Sequence, residues 1–243
     1  MNLIIDIGNS QTKVGIFDQG KIVQTLYISC FDQIQYAQLQ TQYGSISKGI
    51  LSSVTNYDID FIEQLKGKLD LFVVFDAHTP IPIINHYESK STLGLDRLAA
   101  AVGASTLFPN QELLVIDAGT AITYDLIDKN NIFLGGSISP GLAMRFKALN
   151  HFTAKLPEIK PAIQFSEFGK NTEEAIRSGV QQGIIFEIEG VIKQRLTTWP
   201  TCQVILTGGD AEFFEQKLKM PIFVKPELTL IGLDRILEYT KTN

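Results

Sequence analysis

Leu3-Ile4-Ile5-Asp6-Ile7-Gly8-Asn9-Ser10-Gln11-Thr12-Lys13-Val14-Gly15-Ile16-Phe17 begins as an apolar run and breaks on a carboxylate. It turns through Gly-Asn-Ser and resumes as an alternating segment from Thr12 to Phe17. This pattern predicts a β-hairpin with a polar tip. The tip carries what a nucleotide's phosphates require. Gly8 lets the backbone approach closely, and Asn9, Ser10 and Thr12 offer hydrogen-bond donors. Lys13 adds a point charge, and Asp6 can hold Mg²⁺ directly or through water. The motif is not a Walker loop, because G-x-x-x-x-G-K-[ST] is absent and a strand follows the glycine. An ordinary first hairpin with a decorated turn fits these residues as well, so the rest of the chain decides.

A length of 243 residues suits one large domain or two small ones. With 44% hydrophobic and 19% charged residues the composition is globular. The net charge is −5 and basic blocks are absent, a poor basis for gripping a nucleic-acid backbone. Cys30 and Cys202 lie far apart without metal-ligand spacing, which argues against a disulfide framework or zinc site and for a reducing compartment. The N-terminus enters an apolar strand with no basic segment, so a signal peptide is not expected. No apolar run approaches the roughly 20 residues that span a bilayer. A soluble, cytoplasmic protein with neither membrane nor nucleic-acid partner is expected.

After the hairpin, Lys21 to Ser29 alternates as a third strand, with Gln19-Gly20 as the turn. A helix over Ile34–Tyr43, a strand over Gly49–Val54 and a helix over Ile59–Leu65 closed by Gly67 follow. Leu71–Phe75 is continuously apolar, the mark of a strand buried on both faces. Pro80 and Pro82 make the next segment a loop or edge, and the Ala-rich stretch Leu95–Leu107 predicts a helix. Then the pattern restarts. Leu113-Leu114-Val115-Ile116-Asp117-Ala118-Gly119-Thr120-Ala121-Ile122-Thr123-Tyr124 repeats the apolar run, the aspartate, the glycine two residues on and the strand. A third strand over Ile132–Leu134, a helix over Leu142–Phe152 and a long helix capped by Asn171 follow. A strand over Gln203–Thr207, a helix over Ala211–Lys219, a strand over Ile222–Val224 and a helix over Leu228–Thr240 close the chain. Two copies of a three-stranded meander with α/β crossovers predict tandem domains, residues 1–110 and 111–243, with a cleft between them.

Several motifs could carry chemistry there. Two hairpin tips, with Asp6 and Asp117, could hold a triphosphate from two sides, or the second tip is a duplicated turn no longer used. Gly94-Leu95-Asp96-Arg97 opens the Ala-rich helix. Asp96 could accept a proton from a substrate hydroxyl and Arg97 could pair with an anionic substrate, or Asp96 simply complements the helix dipole. The same tetrapeptide at Gly232–Arg235 falls within the last helix, where Asp234 and Glu238 are expected on an outer, solvated face. Gly135-Gly136 through Pro140-Gly141 could present N–H groups to an anion, and Thr207-Gly208-Gly209 could admit a flat base. Both also fit tight connections. Thr172 could bond a ligand or cap its helix. His78, His86 and His151 have no partner spacing.

Taken together, these motifs resemble the type III pantothenate kinases of the acetate and sugar kinase/Hsc70/actin superfamily. The likeness lies in Asp6 to Lys13, Leu93 to Gly103, Val115 to Ala121, Gly135 to Leu142, Thr153 to Pro157, Asn171-Thr172 with Ala175-Ile176, and Thr207 to Gly209. It implies an α/β fold of two tandem RNase H-like (actin-like ATPase) domains and ATP-dependent phosphorylation of pantothenate, the first step toward coenzyme A. It also implies roles. Asp6, Ile7, Gly8, Asn9, Ser10, Gln11, Thr12 and Lys13 would bind ATP, with Asp6 at a divalent cation such as Mg²⁺. Thr120 would touch ATP, and Asp117 would bind a monovalent cation (K⁺ or NH₄⁺). Asp96 would be the general base. Tyr87, Gly94, Leu95, Asp96, Arg97 and Thr172 would line the pantothenate site. Ser10 stands where threonine is commoner, which keeps a hydroxyl. The family is dimeric, and Ala175, Gly179 and Gly183 at four-residue steps would allow close helix contact. Two other readings compete: a kinase of another small hydroxyl substrate, and a non-catalytic nucleotide-binding transcription accessory protein.

Overall fold

Leu3, Ile4 and Ile5 are inaccessible to solvent on both faces of strand β1 (Asn2–Ile7), which places β1 at the centre of its sheet. In this computed structural model, which describes residues 1–242 with side chains through 240, β2 (Thr12–Asp18) returns antiparallel to β1. Asp6 lies opposite Lys13 and Ile7 opposite Thr12, the hairpin expected. β3 (Lys21–Ile28) pairs with β2 after a turn at Gln19-Gly20, where both residues have positive φ. Helix α1 (Gln33–Tyr43) starts on Asp32, whose carboxylate accepts from the N–H groups of Ile34 and Gln35. β4 (Lys48–Ser53) runs parallel to β1, helix α2 (Ile59–Lys68) follows, and β5 (Leu71–Val74) runs parallel to β4. The strand order is β3-β2-β1-β4-β5. Two local expectations change. α2 passes through Gly67 and ends at Lys68 with Leu69 as its cap, because Leu65 and Leu69 are both buried and hold the last turn. β5 is half-buried throughout, because it is the sheet's edge.

Strand β6 (Ile84–Asn85) follows the prolines, and a short 3₁₀ turn (Lys90–Thr92) precedes helix α3 (Leu95–Leu107). The second copy has β7 (Leu113–Ala118), β8 (Ala121–Ile127) and β9 (Ile132–Pro140), then helices α4 (Leu142–His151) and α5 (Thr172–Thr198). β10 (Gln203–Thr207), α6 (Ala211–Glu215), β11 (Phe223–Val224) and α7 (Leu228–Thr242) complete it. β7 and β8 are antiparallel with Asp117 opposite Thr123, and β10 lies parallel to β7 with Thr207 opposite Asp117. The order β11-β10-β7-β8-β9 repeats the first sheet's arrangement, and β6 adds beside β9. β9 is longer than the expected 132–134, because Gly135 and Gly136 let it run close to β8. A Cβ at Gly136 would lie 1.9 Å from the Tyr124 carbonyl oxygen. α6 is shorter than expected and stops at Glu215.

The chain forms two compact units. The first comprises residues 1–110, 130–134 and the C-terminal segment from Glu227; the second comprises 111–129 and 135–226. The sequence division at residue 110 assigned both 130–134 and the last helix to the C-terminal domain, and here they differ. β6 pairs with the start of β9, Ile84 opposite Ile132 and Asn85 opposite Phe133. α7 buries Leu228, Leu230, Leu233, Ile236 and Leu237 completely. It meets α3 at two glycines. A Cβ at Gly232 would lie 1.8 Å from the Ala99 oxygen, and one at Gly103 would lie 2.3 Å from the Leu228 oxygen. Asp234, expected on a solvated face, is instead buried and accepts a 2.8 Å hydrogen bond from Asn2 Nδ2.

Candidate active site

In the first unit the tip of the β1–β2 hairpin is closed by the Gly8 N–H donating to the Gln11 oxygen at 3.1 Å. Asn9, Ser10 and Gln11 are exposed, Ile7, Gly8 and Lys13 are half-buried, and Asp6 and Thr12 are buried. Asp6 therefore sits at the floor of the tip while the donors ring it. Ser52, fully buried on β4, pairs with Asp6 in parallel register, and its hydroxyl has no partner among the described residues. Parallel pairing places both side chains on one face of the sheet.

At the start of α3, Gly94 is the N-cap residue and Asp96 lies in the first turn. Asp96 Oδ1 accepts from the Arg97 N–H at 2.8 Å, so the carboxylate complements the helix end while remaining partly open to solvent. A Cβ at position 94 would lie 2.5 Å from Asp96 Oδ1, so glycine there leaves the carboxylate its place. Leu95 is half-buried beside it. Arg97 is buried, with its guanidinium carbon 5.6 Å from the Tyr87 ring centre and 5.9 Å from that of Phe133. The Tyr87 N–H donates to Asn85 Oδ1 at 2.9 Å, and the His86 N–H donates to the Phe133 oxygen at 3.1 Å. Tyr87, Gly94, Leu95, Asp96 and Arg97 thus share one unit, with Tyr87 and Arg97 in contact. Phe133 was not foreseen, because nothing local marks a phenylalanine 36 residues downstream as a neighbour of Arg97.

In the second unit three glycine motifs converge on the second hairpin tip. The Gly119 N–H donates to the Ala121 oxygen at 3.0 Å, and the Gly141 N–H donates to the Thr120 oxygen at 3.1 Å. A Cβ at Gly141 would lie 2.2 Å from the Gly119 oxygen. Gly208, with φ +98°, packs so closely that a Cβ would lie 2.5 Å from Asp117 Oδ1 and 2.4 Å from the Ala118 oxygen. The sequence named the three motifs separately, and packing brings them to Asp117 and Thr120. Thr172 is exposed on the first turn of α5 and borders a groove of about 900 Å³ with Arg145, Phe152 and Ala175.

The sequence pattern of the family described as Type III pantothenate kinase matches residues 2–194. The chain belongs to that family. It is 45% identical over 239 residues to the Type III pantothenate kinase of Phocaeicola vulgatus, with 98% of each chain covered. It is 43% identical to that of Cytophaga hutchinsonii, over 98% of this chain and 99% of the relative. Among solved structures it resembles a Campylobacter jejuni protein described as a Baf family transcriptional activator, at 25% identity and TM-score 0.62, covering 99% and 100% of the two chains. It also resembles the activator of 2-hydroxyisocaproyl-CoA dehydratase from Clostridium difficile, at 14% identity and TM-score 0.54, covering 99% and 96%. The last likeness shows the fold alone: two α/β domains of the actin-like, sugar-kinase type.

In this pantothenate kinase family member the donor chemistry at the first hairpin fits a divalent cation held with ATP. No group of three His, Cys, Asp or Glu side chains among the described residues could hold a metal by itself. A divalent cation at Asp6 would therefore take most of its shell from phosphate and water, and the orphaned Ser52 hydroxyl could bond such a water. Asp117 Oδ1 and the Ala118 oxygen both pack directly against the Gly208 backbone, which leaves no room for a side chain there. Beside this tip, Arg145 Nη2 bonds Glu187 Oε2 at 2.5 Å and Ser139 Oγ at 2.7 Å, and its Nε bonds the Pro140 oxygen at 2.8 Å. Tyr124 Oη donates to Glu187 Oε1 at 2.7 Å. Burial pushes the Glu187 carboxyl up, but the bonds from Arg145, Tyr124 and Ser139 outweigh it and hold it below the usual range. Burial and the neighbouring Glu187 push the Tyr124 phenol up. The network holds the Ser139–Gly141 corner on which Thr120 rests. Among the described residues no helix is long and apolar enough to cross a membrane.

Proposed function

We propose that this chain transfers the γ-phosphoryl group of ATP to the primary hydroxyl of pantothenate, giving 4′-phosphopantothenate, with Asp96 as general base. Relatives carrying this family name match the whole chain, and the observation that carries the site assignment is the grouping of Asp96, Arg97 and Tyr87 at the start of α3. In the first unit, Asp6 through Lys13 would bind the ATP phosphates by backbone and side-chain donors and the Lys13 charge. In the second, Thr120 would touch ATP, Asp117 would hold K⁺ or NH₄⁺, and Thr172 would contact pantothenate. Arg97 would pair with the substrate carboxylate and Tyr87 would cover the pocket wall. Asp96 would accept the hydroxyl proton as that oxygen bonds the γ-phosphorus and the bond to the bridging oxygen of ADP breaks. A bound divalent cation supplies charge neutralisation at the phosphates.

Asp96→Asn should lower turnover by about 10²- to 10⁴-fold, the usual worth of a general base, with the thermal melt unchanged. Wild-type turnover in that variant would remove Asp96 from the role. A kinase of another small hydroxyl substrate would be exposed by a substrate panel. The Campylobacter likeness favours one other reading, a nucleotide-binding transcription accessory protein. A net charge of −5 weighs against DNA contact, and absence of pantothenate-dependent ATP turnover would support it. We place the enzyme in the cytoplasm, where such a reaction has its substrates. A homodimer is proposed through the α5 strip of Ala175 and Gly179, both exposed, and Gly183, half-buried, and a monomer in size-exclusion at micromolar concentration would refute it.

A further inference from the structure

Arg97 is buried at 6% exposure, yet its charge must face a substrate if it pairs with one. A buried guanidinium is held by whatever surrounds its plane. Two rings form one side of these surroundings, Tyr87 at 5.6 Å and Phe133 at 5.9 Å, with the ring centres 6.2 Å apart. Both distances are within the reach of a cation–π attraction, about 6 Å to the ring centre. Phe133 is fully buried and cannot itself reach solvent or ligand. Its backbone is fixed independently of Arg97. The Phe133 oxygen accepts from the His86 N–H at 3.1 Å, the Asn131 oxygen accepts from the Ile84 N–H at 2.9 Å, and β6 pairs with β9 in register. The same pairing carries Tyr87, whose N–H bonds Asn85 Oδ1. Residues 130–134 thus enter the first unit from the middle of the second half of the chain and place one ring beside Arg97 while bracing the segment that carries the other.

We propose that Phe133 is a positioning residue of the substrate site: with Tyr87 it forms an aromatic wall on one side of the Arg97 guanidinium and so limits the directions in which that cation can meet an anionic group of the substrate. The proposal rests on the reading of Arg97 as the carboxylate partner of pantothenate. Its consequence is selectivity. A guanidinium backed on one side by two rings offers its paired donors from the other side to a carboxylate and nothing equivalent to a neutral end group. Phe133 would therefore contribute to binding of the acid and little to binding of a neutral analogue.

The test compares Phe133→Met, Phe133→Leu and Arg97→Met in the full chain. Methionine keeps most of the volume and the apolar character but removes the ring. Phe133→Met should raise KM for pantothenate about tenfold, the worth of a charge-assisted hydrogen bond lost when Arg97 meets the carboxylate out of line, while KM for ATP moves less than about twofold. The inhibition constant of pantothenate's neutral alcohol analogue should move less than about twofold as well, a readout that a general packing defect would shift equally. Phe133→Leu should show the same split with a lower melting temperature, because it also leaves a cavity. Phe133→Met in an Arg97→Met background should add nothing further. Equal rises for acid and neutral analogue, or an unchanged pantothenate KM in Phe133→Met, would overturn the proposal. Arg97→Met with an unchanged pantothenate KM would overturn it too, and would locate the failure in the reading of Arg97.

Discussion

Gly-Leu-Asp-Arg occurs twice in this chain, and its two aspartates show how little a tetrapeptide says about a carboxylate. Asp96 lies in the first turn of α3, partly open to solvent, bonded to the Arg97 N–H. Asp234 lies inside α7, buried against β1. Burial pushes its carboxyl above the usual range. The Asn2 hydrogen bond pulls it back, Glu238 adds to the rise, and Lys48 and Arg235 oppose it, with burial prevailing. A carboxyl whose native value is raised holds a proton that the unfolded chain has already lost. Its stabilising contribution is therefore full below about pH 4 and is lost as pH rises through the native value. Asp234→Asn cannot ionise and still offers Asn2 Nδ2 an acceptor. The stability of this variant relative to wild type should rise between about pH 4 and about pH 7, read from urea unfolding at both ends. A fall over that interval would mean that Asn2 and Lys48 stabilise the charged carboxylate more than burial penalises it. The sequence placed Asp96 correctly at a helix start because capping chemistry is local. It misplaced Asp234 because a helix pattern does not say what packs over its polar side.

At the scale of the element, glycine has opposite meanings at two helical sites. Gly67 in α2 is exposed, and an added Cβ would meet nothing within 4 Å. The sequence took it as a helix stop, since glycine after a periodic run is the usual signal. The burial of Leu65 and Leu69 overrides that signal and carries the helix through. Gly67→Ala should therefore stabilise the protein by about 0.7 kcal/mol, through helix propensity and a less flexible unfolded chain. Gly232 in α7 looks the same in sequence, but its Cβ would lie 1.8 Å from the Ala99 oxygen and 2.9 Å from the Gly103 nitrogen. Gly232→Ala must push α3 and α7 apart, at a cost of about 3 kcal/mol. Denaturant midpoints moving in opposite directions for the two variants would confirm the distinction. A neutral Gly232→Ala would show that the crossing of the two helices is not tightly packed. Strands and hairpins were legible because their period-2 pattern and turn residues are local. The β9 extension, the α3–α7 crossing and the ring pair beside Arg97 were not, because each depends on a partner tens of residues away.

At the scale of the whole molecule, the repeat was legible and the chain's return was not. Both sheets carry a meander on one side of the central strand and two parallel strands on the other, as the doubled Asp-x-Gly pattern implied. A tandem reading assigns α7 to the second copy by its place in sequence, yet its apolar face belongs to the first unit. The amount of surface involved makes this testable. Leu228, Leu230, Leu233, Ile236 and Leu237 are fully buried. At about 2 kcal/mol for each large apolar side chain, their burial is worth roughly 10 kcal/mol, as much as the entire net stability of a typical domain. Removing α7 would also uncover Ala99 and Gly103 on α3, the helix that carries Asp96 and Arg97. The second unit's core, built around Ile116, Phe146, Ile184 and Leu206, contains no residue of α7 among the described residues. A chain ending at Pro226 should therefore lose pantothenate-dependent ATP turnover and the cooperative melt of the first unit. Helical circular dichroism from α4 and α5 should remain. A truncated chain with the wild-type melt would show that the first sheet and α3 hold together without the returning helix.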